Sequence, residues 1–174
     1  MIPRISGIIS VLLVVILIAT IGCGYRLVGS GQGLPGNIKQ VFIPIFVNKT
    51  GEPQIEREIT RTVRQEFLTD GRVKIGARNR ADAILTGEIH SYVLTPLAFD
   101  PQDNVTEYRL NMAILITLRD IKKKKIIFQQ TLDTYREYRV SESISSSEAG
   151  KQEALQRASK DFALELLDLL TASF

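Results

Sequence analysis

Chemistry in this 174-residue chain has few side chains to draw on: one cysteine, Cys23, one histidine, His90, and no tryptophan. A single cysteine excludes a disulfide within the chain and any cysteine-rich zinc site, and a single histidine excludes a metal held by a histidine pair. His90 falls on the polar side of a run in which apolar and polar residues alternate. That is the setting of a solvated or hydrogen-bonded strand histidine rather than of a general base. Asp100 and Asp103 stand beside Pro101, a pattern of turns and not of a paired-carboxylate dyad. No nucleophile elbow occurs. The glycines between Gly24 and Gly36 are dense, but no strand precedes them and no clear helix follows, so they do not form a dinucleotide loop. The chain reads as non-enzymatic, with no metal and no cofactor.

Cys23 takes its meaning from what precedes it. Arg4 is followed by the uncharged stretch Ile5 to Ile21, apolar from Ile8 to Ile18 except for Ser10, and then by small residues ending at Cys23. Basic, apolar, small is the order of a secretory signal peptide. As a membrane span the stretch is short, because crossing takes about 20 apolar residues. Thr20-Ile21-Gly22-Cys23 resembles the bacterial lipobox, whose cysteine is diacylated on sulfur before the signal is cut away. The resemblance implies a cleaved signal over residues 1–22, a covalent lipid on Cys23, and a lipidated tether and loop over residues 23–39. Each buried acyl CH₂ contributes about 0.8 kcal/mol, and two or more chains anchor a protein stably. Gly24 stands where enterobacterial lipoproteins kept at the inner membrane carry Asp. By that resemblance the destination is the periplasmic side of the outer membrane. Asn48-Lys49-Thr50 matches a glycosylation acceptor, which has little force in a bacterial lipoprotein.

The formal net charge of +3 is a small surplus that matters only where it clusters. It clusters in Lys122, Lys123, Lys124 and Lys125. Two readings of this run stay open: a solvated hairpin tip whose lysines discourage edge aggregation, and a cationic prong that meets phosphate groups of an anionic lipid. A nucleic-acid role needs aromatic platforms among the cations, and none lies beside the run.

The elements that must position these residues follow from periodicity. Gln40 to Val47 reads as a central strand, with Val41, Ile43, Ile45 and Val47 on one face, Phe42 and Phe46 on the other, and Pro44 limiting its pairing. A helix runs from Pro53 to about Thr69, with Ile55, Ile59, Val63 and Phe67 as its stripe and Gly71 as its stop. Ala81 to Leu94 alternates, with Ala83, Leu85, Gly87, Ile89 and Val93 inward and Asp82, Thr86, Glu88 and His90 outward. In Thr106 to Leu118 the inward set is Tyr108, Leu110, Met112, Ile114, Ile116 and Leu118. A one-residue slip would invert that face, so its register is firm. Ile126 to Val140 is a further strand, joined across the tip Asp120 to Lys125 as an antiparallel hairpin. A last helix begins at a Ser145/Glu148 capping box and carries Leu155, Ala158, Phe162, Leu166 and Leu169. The expected fold is α+β: two helices packed on one face of a four-stranded, mixed but mostly antiparallel sheet, in the order β-α-β-β-β-α. Residues 40–174 are expected to form one domain.

Several segments in order then resemble the lipopolysaccharide-assembly lipoprotein family LptE: Cys23-Gly24-Tyr25-Arg26-Leu27, Leu34-Pro35, Val41-Phe42-Ile43-Pro44, Asn48-Lys49-Thr50, Ala81 to Gly87, and Thr106-Glu107-Tyr108-Arg109-Leu110. The resemblance implies a protein that plugs the large outer-membrane β-barrel LptD, assists its assembly and binds lipopolysaccharide on its way to the outer leaflet. The loop Ala98 to Val105 holds no Lys or Arg, which leaves Lys122 to Lys125 as the candidate lipopolysaccharide contact. The competing expectation is a lipid-anchored periplasmic adaptor of another envelope transport or secretion complex.

Overall fold

The computed structural model describes Leu34 and residues 38–140 and 144–172. In order these form strands β1 (Gln40–Phe42) and β2 (Val47–Asn48), helix α1 (Ile55–Asp70), strands β3 (Lys74–Ile75), β4 (Ala83–Phe99), β5 (Val105–Asp120) and β6 (Lys125–Arg139), and helix α2 (Ile144–Ala172). Residues 1–22, expected to be a signal peptide, and Cys23 lie outside the described residues.

The sheet is built on β5, whose strict alternation leaves one face no freedom. Leu110, Met112, Ile114, Ile116 and Leu118 are buried, while the residues between them are half-exposed. Antiparallel pairing ties β5 to β4 from Ala83↔Asp120 to Phe99↔Val105, and to β6 from Glu107↔Arg139 to Asp120↔Lys125. On the other side β1 runs parallel to both β4 and β3, and β2 continues alongside β4. The order is β3-β1-β4-β5-β6, with β2 off this path.

The sheet is therefore mixed and mostly antiparallel, but it has six strands and not four. Two physical facts account for the difference. Pro44 has no N–H for a ladder and breaks the expected strand Gln40 to Val47 into β1 and β2. The break also turns the chain over, so that Val41, Ile43 and Phe46 are buried while Ile45 and Val47, expected on the same face as Val41 and Ile43, are 56% and 47% exposed. β3 is only two residues long, too short to leave a periodic signal.

β4 runs five residues beyond the expected Leu94, and its alternation holds from Ala83 to Ile89. There Ile89 pairs with Ile114 but Ser91 with Ala113, leaving His90 as the extra residue of a β-bulge. An extra residue exchanges the two faces beyond it. Val93, expected inward, is 50% exposed, while Tyr92 and Leu94 pack against the core.

Both helices cover the same face of the sheet. In α1 the stripe Ile55, Ile59, Val63 and Phe67 is buried as expected, and the helix stops at Gly71, whose φ of 73° suits a residue without Cβ and whose N–H reaches the Phe67 carbonyl. In α2, Leu155, Ala158, Phe162 and Leu166 are buried and Leu169 partly so. Ser145 lies within α2, one residue after its first. Each large apolar side chain so enclosed contributes about 1.5–3 kcal/mol. Leu34 and Ile38, read as part of the tether, belong to this same core. Among the described residues no helix is long and apolar enough to cross a membrane.

Candidate functional site

The lysine run occupies the turn between β5 and β6, and its conformation is imposed by two aspartates. Asp120, at the end of β5, is buried, and its carboxylate accepts the Lys123 N–H at 2.8 Å. Lys124 takes a φ of 53°, which lets the turn close onto Lys125. Asp82, just ahead of β4, faces both the turn and the start of β1. Its Oδ2 accepts the N–H groups of Lys39 and Gln40 at 3.1 and 3.2 Å, and its Oδ1 accepts from Lys122 Nζ at 3.0 Å. Its own N–H donates to the Gln40 carbonyl and its carbonyl accepts from Ile121, both at 2.9 Å. The Lys122 ammonium and the two amides hold the Asp82 carboxyl below the usual carboxylate range. Of the four lysines, Lys122 is thus engaged. Lys123, Lys124 and Lys125 are exposed, with no ion pair recorded among the described residues.

Asp82 was expected only as an outward strand residue. Its role joins chain segments about 40 residues apart on either side. The one local signal is a carboxylate standing immediately before an alternating strand.

The remaining candidates behave as their types suggest. His90 is exposed at the bulge, with Glu88 Oε2 3.8 Å from its Nε2. Asp100 organises its own turn by accepting from the N–H groups of Gln102 and Asn104 and from the Asn104 side chain, which together lower its pKa. Asp103 follows at a φ of 64° with its N–H on the Asp100 carbonyl. Asn48 and Thr50 form a local turn in which Asn48 Oδ1 accepts from the Thr50 N–H and hydroxyl. A cleft of about 430 Å³ between β6 and α2 is lined by Tyr135, Arg136, Glu137, Arg157, Lys160 and Asp161. Its charges are largely spent on one another: Arg136 pairs with Asp161, Arg157 with Glu153, and Arg109 with Glu137 while lying over the Tyr135 ring. Among the described residues no cluster of three His, Cys, Asp or Glu side chains could hold a metal ion.

A family model described as LptE, lipopolysaccharide-assembly, matches residues 38–170. The chain belongs to this family. Solved structures with the same fold include lipoprotein B of Nitrosomonas europaea, 19% identical over 86% of this chain and 92% of that one, with a TM-score of 0.56. The rare lipoprotein B of Shewanella oneidensis is 18% identical over 77% and 95%, with a TM-score of 0.55. A minor lipoprotein of Acinetobacter baumannii is 13% identical over 78% and 94%, with a TM-score of 0.52. At these identities the structural likeness concerns fold alone. No curated protein matches. The LptE match begins at Ile38, two residues before β1, and ends within the last turns of α2, so it spans all the described elements and not one motif.

Proposed function

We propose that this LptE-family protein is an outer-membrane lipoprotein, anchored through lipid on Cys23 at the periplasmic side. In this reading it plugs and helps assemble an LptD-type β-barrel and binds lipopolysaccharide during delivery to the outer leaflet. The observation that carries the reading is the family match over residues 38–170. Three features support it. A lipobox-like Gly22-Cys23 ends the apolar leader. The sheet keeps one face uncovered, with Arg109, Glu137, Val93 and Tyr135 accessible for contact with a partner. The β5–β6 turn presents Lys123, Lys124 and Lys125 as ammonium groups suited to phosphate. The role asks for binding and not for bond chemistry.

Purification of the full chain from a detergent extract of its native envelope, followed by mass spectrometry, tests the reading. Recovery of a large outer-membrane β-barrel is the expected result. Isolation as a lone protein, or capture of a transporter or secretion complex in place of the barrel, refutes it. Changing Lys123, Lys124 and Lys125 together to Gln is expected to weaken lipopolysaccharide binding at low salt, and unchanged binding there would free the turn of that role.

A further inference from the structure

Asp82 places the lysine turn and the entry of the chain into the domain at one end of the sheet. Its carboxylate holds the amides of Lys39, just before β1, and of Gln40, its first residue, and the ammonium of Lys122 in the turn. Lys74 is in register with Gln40 across the β1–β3 pairing, and Arg78 and Arg80 lie in the loop that leads to Asp82. Lys39, Lys74, Arg78, Arg80 and Lys122 to Lys125 are all exposed. Asp82 and Asp120 are turned to backbone amides and to Lys122, and the exposed Asp70 and Asp168 beside Lys74 are faced by Arg72, so cations outnumber carboxylates at this end.

The opposite end of the β4–β5 hairpin differs. Its turn carries Asp100 and Asp103 and no cation, and the 16 residues of β5 put it about 50 Å away. The domain is therefore charged asymmetrically along its strands, cationic where the chain enters and acidic at the far tip. Between Cys23 and Leu34, a core residue, the chain can span at most about 40 Å. A lipid on Cys23 would hold Leu34 within that distance of the leaflet, with the far end of the domain free to swing. Charge then decides which end turns to it.

We propose that this cationic end is a docking face for anionic phospholipid headgroups of the leaflet that holds the Cys23 lipid, so that the domain stands with its acidic tip pointing away from that leaflet. The inference rests on the lipid-anchor part of the proposed function and not on lipopolysaccharide binding. Edge protection explains lysines beside β6. It does not explain Lys39, Lys74, Arg78 and Arg80, which belong to other elements and converge on the same end. Several cations near an anionic surface act together, and a short lipid tether supplies the second attachment that makes such weak attraction persist.

Amine acetylation of the mature full-length protein, read lysine by lysine by mass spectrometry, tests the docking face. The protein is inserted either in vesicles of phosphatidylglycerol with phosphatidylethanolamine or in vesicles of phosphatidylcholine alone. Relative to Lys49 and Lys160, the residues Lys39, Lys123, Lys124 and Lys125 are expected to react about fivefold more slowly on the anionic vesicles, with the difference lost at high salt. Equal reactivity on the two membranes overturns the proposal. Protection in detergent by inorganic phosphate alone, or by lipopolysaccharide but not by anionic vesicles, overturns it as well, and the latter leaves the lipopolysaccharide reading standing. The mass of the Cys23 peptide is read in the same experiment. A lipidated cysteine with unprotected lysines defeats the docking face only, whereas a bare cysteine defeats the anchor itself.

Discussion

Phe46 lies across the backbone of Gly87, and the contact defines a double-mutant cycle. A Cβ at position 87 would stand 2.5 Å from Phe46 Cε2 and 2.7 Å from its Cγ, against a favourable carbon–carbon separation of about 3.5–4.0 Å. The ring has little room to retreat: it is 2% exposed, and its backbone N–H is held by the Thr60 hydroxyl at 2.9 Å. Gly87→Ala must displace the ring or the strand by about 1 Å, an overpacking that costs about 1–3 kcal/mol, offset by about 0.5–1 kcal/mol from replacing glycine in a strand. Phe46→Ala alone should cost about 3–5 kcal/mol through lost burial and the cavity left behind. In that background the new methyl enters the vacated space, so Gly87→Ala should become neutral or stabilising. The coupling between the two sites is then the overpacking term itself, about 1–3 kcal/mol. Urea unfolding of the four proteins measures it from midpoints at constant slope. Each kcal/mol should also move the melting temperature by about 2–4 °C in a domain of this size. Costs that add to within about 0.5 kcal/mol would refute the reasoning, because the ring would then not be what fills the place of a side chain at position 87.

Three further outcomes are expected. Thr60→Val keeps shape but removes the acceptor of the buried Phe46 N–H and the donor to the Glu56 carbonyl, and urea unfolding should show a loss of about 1–3 kcal/mol. Tyr92→Phe should leave stability unchanged or raise it by about 1 kcal/mol, since the Tyr92 hydroxyl is buried without a hydrogen-bond partner among the described residues; a clear loss would show that the hydroxyl is satisfied. Burial, with Glu52 next in effect, also raises the Tyr92 pKa, so an alkaline titration should find this phenol among the last to ionise. Asp82 has a lowered pKa in the folded state, so its contribution is present above the unfolded carboxylate value near about 4 and disappears as pH falls through the folded value. The stability gap between the native protein and Asp82→Asn should therefore be widest near neutral pH and close under acid; a gap independent of pH would refute the role of the carboxylate charge.

The parts of this fold that were legible are those written in local periodicity. Ile55, Ile59, Val63 and Phe67 announce α1 because four-residue spacing builds a stripe whatever lies opposite, and Leu110 to Leu118 announce β5 because a strand buried on one face must alternate. What failed were insertions and partners. The bulge at His90 adds one residue to β4, and a pattern of period two cannot show an extra residue that carries no glycine or proline, so simple alternation puts Val93 on the wrong face. Pro44 signalled limited pairing, but not that the chain would turn over and bury Phe46 against Gly87. β3 exists only because β1 offers Lys74 and Ile75 an edge. The lysine turn was legible as a charged tip between two strands. Its company was not: Lys39, Lys74, Arg78 and Arg80 arrive there through parallel pairings and through Asp82, and such pairings leave no mark on neighbouring residues.

The parallel pairing of β1 with β4 also sets an order of assembly. β4, β5 and β6 are joined by short turns, whereas Val41 meets Ala83 only after α1 and β3 have intervened. Loop-closure entropy rises with the logarithm of length, so closing about 40 residues costs about 2 kcal/mol more than closing a hairpin turn of about five. The antiparallel meander can pay that smaller cost first, and β1 then finds a finished edge to join. Because Asp82 precedes β4, the carboxylate that receives the amides of Lys39 and Gln40 is set in place by the meander itself. Unfolding should run the other way, with the amides of β1 to β3 exchanging with solvent before those of β5. Of the described strands, the one nearest the amino terminus is thus the last to be stitched in and the first to come loose.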